Sequence, residues 1–249
     1  MDLTIRPIKL GTLRIDKSLN TYMMNTGVPL DQPMMAYYIE GAGKKILVDT
    51  GPPDPEWAKK IHRPIVAPEE EQWPKALTRL GIAPEEIDIV IHTHLHWDHA
   101  FHGHLFKNAR FFVQKSELAF AAAPIFTQIR GYQAPATGMT PPYLGIKYTV
   151  LDGDAEIVPG VGVILTPGHS QGSQCVTVET RAGSYILAND TVPLYDNWEG
   201  APPYVPHIPN TIHVNLDEYF ASFDKIERVG GIVLPGHDPR VLEHDRYPY

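Results

Sequence analysis

Four times in this chain an apolar, strand-like run ends on side chains that bind metals, and this recurrence limits the folds open to it. Residues 87–91 lead into His92-Thr93-His94-Leu95-His96-Trp97-Asp98-His99. Residues 161–166 pass through Pro167-Gly168 to His169, residues 185–188 are followed by Asp190, and residues 232–234 pass through Pro235-Gly236 to His237. Side chains handed over by separate strands can share a metal only if the strand ends meet, so the pattern calls for packed sheets with a common site.

The central run carries the strongest signal. His94, His96, Asp98 and His99 fall within six residues. Imidazole and carboxylate suit zinc, iron or manganese where thiolates are absent. In an extended segment residues 94, 96 and 98 point to one side. His99 breaks that alternation and joins the others if the chain turns into a helix at Asp98. His92 lies on the alternating set but inside the strand, so it reads as a core or supporting residue. His102 and His104 read as solvated or supporting histidines. Cys175 is the sole cysteine, which excludes an intramolecular disulfide and a thiolate-rich zinc site. Its neighbours alternate like a half-buried strand, so it reads as a small core hydrophobe.

Around these points the chain reads as sheets with a few helices. Strands are expected at 35–40 and 45–49, forming a hairpin about Gly41-Ala42-Gly43-Lys44, and at 87–91, 110–114, 147–151, 161–166, 174–180, 184–188 and 232–234. Helices are expected at 75–80, 115–123 and 216–229, the last closed by Gly230-Gly231. Residues 124–145 and 193–210 are rich in proline, glycine and aromatics and read as loops. Strand-rich halves each followed by a helix suggest two packed sheets with helices outside. No linker or low-complexity tract divides the 249 residues, so one domain over 1–249 is expected.

Net charge of −8, with no concentrated basic face, argues against nucleic acid as a partner. No apolar run approaches the ~20 residues needed to cross a bilayer. The opening Met1-Asp2-Leu3-Thr4-Ile5-Arg6 lacks the build of a signal peptide, so a cytoplasmic location without a membrane partner is expected.

Taken together, Leu47-Val48-Asp49-Thr50-Gly51, His94-Leu95-His96-Trp97-Asp98-His99, Thr166-Pro167-Gly168-His169-Ser170, Asp190 and Gly236-His237-Asp238 resemble the metallo-β-lactamase superfamily of dinuclear hydrolases. Within it the chain looks most like the N-acyl-homoserine lactone lactonases. The resemblance implies an α/β fold, a four-layer αβ/βα sandwich of two mixed sheets packed face to face with helices outside and metals at one edge. It implies two divalent ions, zinc first and iron, manganese or cobalt as alternatives. His94, His96 and His169 would hold one, Asp98, His99 and His237 the other, and Asp190 would bridge them. Asp49 would orient a ligand from behind. The implied partner is a small-molecule lactone, and a homodimer stays open.

Two positions depart from the resembled lactonases. Ala100-Phe101-His102-Gly103 stands where they usually carry glycines, which brings an aromatic toward the site. Their substrate-holding tyrosine, three residues after the bridging aspartate, is here Pro193, and Tyr195 is the nearest candidate to replace it.

Paired cations lower the pKa of bound water to about 7 and polarise a carbonyl, while Asp98 or Asp190 passes a proton to the leaving oxygen. Tyr22, Met23, Met24, Phe126, Tyr132, Tyr143 and Trp198 are expected to line an acyl-chain site. The same scaffold and ions also suit a β-lactamase, a thioester hydrolase or a phosphodiesterase, because fold does not fix substrate. A non-hydrolytic di-iron protein is the alternative from another class.

Overall fold

The computed structural model describes residues 2–41, 43–133 and 135–249, with Ala136 described in its backbone alone. Met1 and Ala42, which belong to the expected N-terminal segment and hairpin turn, and Ala134 of the expected loop lie outside the described residues.

Strands β1 (Thr4–Asp16), β2 (Pro29–Glu40) and β3 (Ile46–Val48) open the chain. Helix α1 (Pro55–Ile61), strand β4 (Ile65–Val66), helix α2 (Lys75–Thr78) and strand β5 (Ile89–Ile91) follow. Next come β6 (Arg110–Gln114), α3 (Lys115–Ala122), β7 (Tyr148–Leu151), β8 (Ala155–Val158) and β9 (Val161–Leu165). The chain continues through β10 (Gln174–Thr180), β11 (Gly183–Asn189), α4 (Tyr195–Glu199), α5 (Leu216–Val229) and β12 (Ile232–Pro235). The expected strands and the 216–229 helix are present, most with ends moved by a residue or two, while β2 begins six residues before the expected 35. Five elements have no counterpart among the expected bounds: β1 lies before the first expected strand, α1 sits in what read as a proline-rich link, α4 in an expected loop, and β4 and β8 are short pieces.

The strands form two mixed sheets, ordered β4-β1-β2-β3-β5-β6-β7 and β12-β11-β10-β9-β8. One apolar layer lies between them. Ile5, Tyr37, Ile39, Val48, Ile91 and Phe112 of the first sheet meet Val163, Val176, Val178, Leu187 and Leu234 of the second. Period-2 alternation sends the intervening residues to the outer faces. On one, Tyr38, Leu47 and Val90 pack under Ala76 and Leu77 of α2. On the other, Ile164, Cys175, Ile186 and Val233 pack under Tyr219, Phe223 and Ile226 of α5. The result is the four-layer αβ/βα arrangement expected from the sequence. Cys175 is fully buried, and burial pushes its thiol up to about 11, as suits a core hydrophobe.

Strand direction positions the site. β3 and β5 run parallel in the first sheet. In the second, β9 and β11 both run antiparallel to β10, and β12 runs parallel to β11. The C-terminal ends of β9, β11 and β12 therefore share one edge, as those of β3 and β5 do. Tyr37 Oη donates to Pro235 O at 2.6 Å across the layer. Gln174 Nε2 likewise donates to His92 O at 2.8 Å, fastening the two edges together. Among the described residues no helix is long and apolar enough to cross a membrane.

Tyr37→Phe removes the donor that Pro235 O uses while keeping the ring, and should cost about 1 kcal/mol of unfolding free energy in urea titrations. Tyr37→Ala, which empties a fully buried site, should cost about 3–5 kcal/mol.

Candidate metal centre

The site is built where the strands stop. Beyond β5 the chain runs on to His96 and then coils: His99 N and Ala100 N both donate to His96 O, at 3.0 and 3.1 Å. That turn brings His99 round to the face that carries His94 and His96. Gly168, at φ +135°, lets the loop after β9 pass against α5, since a Cβ there would lie 2.5 Å from Tyr219 Cα.

All seven side chains singled out in the sequence converge. His94, His96, His169 and Asp190 form one group and Asp98, His99 and His237 a second, with ligand atoms in each group within 4.8 Å of one another. Asp190 stands between them. Its Oδ1 is 2.9 Å from His237 Nε2 and 3.2 Å from His99 Nε2, and its Oδ2 is 3.3 Å from His169 Nε2.

Hydrogen bonds behind the rings fix which nitrogen faces inward. His169 Nδ1 donates to Ile212 O at 2.7 Å, and His237 Nδ1 to Pro33 O at 2.9 Å. His99 Nδ1 donates to Asp49 Oδ2 at 2.8 Å, and His94 Nδ1 approaches Thr93 Oγ1 at 3.2 Å. Each neutral ring therefore turns an Nε2 lone pair toward the centre. There the lone pairs crowd a third ring: His96 Nδ1 is 3.0 Å from both His94 Nε2 and His169 Nε2, and one proton on it could serve only one of them. His99 Nε2 is buried without a hydrogen-bond partner among the described residues. Inward-facing lone pairs opposite carboxylates are what a pair of cations satisfies, so the donor set fits two metal ions.

Burial holds His94 and His96 well below the ordinary imidazole pKa and also lowers His169, which keeps them in the neutral, ligating form. Burial would lower His99 as well, but Asp98 and Asp190 outweigh it and raise it well above the usual value. At His237 Asp190 likewise outweighs burial. Burial would raise Asp190, yet His237, His99 and His169 draw it well below the carboxylate range. The second group thus attracts positive charge that a metal ion would supply in place of protons.

Two buried carboxylates support the rings from outside. Asp49 follows β3 at φ 64°, a left-handed conformation that asparagine and aspartate tolerate better than most residues. Its Oδ1 accepts from Thr93 N at 2.7 Å, and its Oδ2 accepts from Thr93 Oγ1 at 2.8 Å and Asn189 Nδ2 at 2.7 Å besides His99. It stands where the resemblance placed it. Glu117 of α3 was not singled out from the sequence. Its Oε1 accepts from Leu95 N at 2.8 Å and Tyr132 Oη at 2.7 Å, and its Oε2 from Ser170 Oγ at 2.7 Å and Gly172 N at 3.1 Å. It thereby clamps the His94–His96 segment to the loop carrying His169. A Cβ at Gly172 would lie 2.1 Å from Glu117 N, so only glycine permits the approach. A lone glutamate on a short helix carries no signal of this in one sequence.

Other expectations need correction. Tyr195 does not line the cavity beside the cluster. Its ring packs under Arg240, with the guanidinium carbon 4.2 Å from the ring centre, because α4 turns it toward the layer between the sheets. Phe101 turns away to meet Trp57, ring centres 4.9 Å apart. None of the seven residues expected to line an acyl site lines the cavity at the cluster. Met23 and Phe126 are exposed, Tyr22 packs edge-on against His213, Trp198 stacks on His207, and the hydroxyls of Tyr132 and Tyr143 are tied to Glu117 and Ala121 O. The cavity, of about 260 Å³, takes its apolar wall from Leu13, Ile15, Leu19, Trp97 and Ile212 instead. His92 is a core residue bonded to Thr50 and Tyr148, and His102 and His104 stay outside the cluster.

A sandwich of this topology with this edge defines a class, and comparison with known proteins agrees: residues 33–237 match the model of the metallo-beta-lactamase superfamily, to which the chain belongs. An N-acyl homoserine lactonase of Bacillus thuringiensis is 28% identical over 241 residues, covering 93% of this chain and 91% of that protein. Among solved structures, an N-acyl homoserine lactone hydrolase with the product N-hexanoyl-L-homoserine bound at its catalytic metal centre superposes with a TM-score of 0.80. It shares 26% identity and covers 98% of this chain and 96% of its own. AidC, a dizinc quorum-quenching lactonase, shares the fold at a TM-score of 0.70 and 16% identity, over 95% of this chain and 88% of its own.

Replacing Asp49 with asparagine, or Glu117 with glutamine, turns an NH2 group toward backbone or hydroxyl donors. Each change should weaken metal binding about 10–100-fold in chelator-competition titrations, with the seven cluster residues intact.

Proposed function

We propose that the chain is a single-domain, metal-dependent hydrolase that opens the ring of N-acyl homoserine lactones. The observation that carries this reading is Asp190 set between two groups of inward-facing imidazoles and lining a cavity. The lactonase relatives, matched over nearly the whole chain, support the substrate class.

His94, His96 and His169 would hold one ion, Asp98, His99 and His237 the other, with Asp190 shared. Zinc suits the set best, being content with nitrogen and oxygen donors and needing no redox partner. Bound there, the pair would supply an acidified water and an electrophile for the carbonyl oxygen.

The remaining work falls to the chain. Both Asp190 oxygens are engaged by the surrounding imidazoles, which suits it to a fixed bridge. Asp98 lines the cavity as Asp190 does, but its Oδ2 stands 3.7 Å from His99 Nε2, so its carboxylate is less tightly engaged. It is placed to carry a proton to the ring oxygen as the ester C–O bond breaks, leaving an alcohol and a carboxylate. Trp97 and Ile212 wall the cavity and shield this transfer from bulk water. With Tyr195 turned away, orientation of the lactone falls to the cavity's own polar residues, among them Asn210 and Gln128.

Metal-loaded protein should convert N-hexanoyl homoserine lactone to the hydroxy acid, read by chromatography. A thioester and a nitrophenyl phosphodiester run alongside should be turned over far more slowly; preference for either would displace the lactone reading. Stripping the metal should abolish turnover, and zinc should restore it. His96→Ala and Asp98→Ala should lose bound metal and activity together, as measured by elemental analysis and the same assay.

A further inference from the structure

Two segments close the cavity over Trp97, and each presents an arginine. His62 stacks on the Trp97 ring with centres 4.5 Å apart and planes 9° apart, and Arg63 follows it. On the other side Trp97 N donates to Gly131 O at 2.8 Å, with Arg130 immediately before it. Gly131 also lies against His96, since a Cβ there would come 2.9 Å from His96 Cδ2. Arg130 Nη2 donates to Ile61 O at 3.1 Å, so the two segments are tied to each other. Arg63 and Arg130 both line the cavity that holds Asp98, Asp190 and His237.

Their charge is not cancelled locally. Among the described residues neither arginine pairs with a carboxylate, and the only carboxylates lining the cavity are Asp98 and Asp190 of the metal cluster. Both guanidinium groups are felt at the ring between them: burial first, then Arg130 and Arg63, push His62 down to about 4. His62 is thus neutral near pH 7 and adds no third charge. In a chain of net charge −8, two uncompensated arginines at one cavity rim form a local positive field. A plain alkyl chain gains nothing from it, whereas a carboxylate can be held by forked N–H donors.

We propose that Arg63 and Arg130 form an anion subsite at the rim, and that the preferred lactones carry a carboxylate at the far end of the acyl chain. The metal end would take the ring and the arginine rim the distal charge. The cavity of about 260 Å³ suits a short acyl chain between them. This inference rests on the lactone reading above and names the substrate class within it.

The test compares N-hexanoyl homoserine lactone with a counterpart of equal chain length ending in a carboxylate in place of the methyl group. The zinc-loaded enzyme and its Arg63→Gln, Arg130→Gln and doubly substituted forms would be assayed with both. Both arginines are exposed, so the variants should fold, and equal melting temperatures would verify it. In the unsubstituted enzyme the acidic lactone should show kcat/KM about three- to tenfold higher, with the difference in KM. Raising salt should shrink that ratio, and the double variant should bring it to one or below. A ratio of one or less in the unsubstituted enzyme, or one unmoved by the double substitution, overturns the subsite and leaves the lactonase reading standing. Failure to open either lactone overturns the lactonase reading, and the subsite with it.

Discussion

Five imidazoles gathered about Asp190 and Asp98 set lone pairs against one another and against carboxylates, an arrangement that positive charge among them relieves. The rest of the structure follows from that constraint. Protons could serve at His99 and His237, where Asp190 draws them in, but not at His94, His96 and His169, which burial keeps neutral. Cations at the centre relieve both groups at once. Bound there, they would turn an edge costly to an empty fold into one stabilised by ligand binding, because affinity for the native state adds to its stability.

Such an edge needs a rigid frame, and the frame is polar as well as apolar. Among the described residues Asp49 and Glu117 are buried carboxylates without a lysine or arginine paired to them, each satisfied by four donors. Asp49 joins β3 to the loop beyond β5 and to Asn189 at the end of β11, so it spans the two sheets. Glu117 joins the central ligand run to the loop after β9. Their negative charge also lies on the side from which the cations gain. The stacked and hydrogen-bonded contacts of Trp97 carry this order outward to the cavity rim. Chemistry at the edge and recognition at the rim are thus parts of one packed unit.

The cluster was legible because its residues announce themselves twice: by type, as histidine and aspartate without cysteine, and by place, each just past an apolar strand. The sheets were legible for a related reason, since burial on both faces of β5, β10 and β11 leaves continuous or alternating apolar runs. Glu117 gave no such signal, because its partners are backbone and hydroxyl groups brought from 15 to 55 residues away. The aromatics of 124–145 and 193–210 misled for the opposite reason. They are as apolar as any cavity wall, but loops must also pack themselves, and Tyr132, Tyr143 and Trp198 are spent on that.

The sequence alone determined which atoms could hold metal and that strand ends would deliver them, since ligand chemistry and strand periodicity are local properties. Tertiary structure decided what surrounds them: Tyr195 under Arg240, Phe101 against Trp57, and Arg63 and Arg130 on either side of Trp97. Those placements depend on which segments meet across long stretches of chain. No local pattern encodes that, because the free energy that fixes it comes from packing and appears only when the partners arrive.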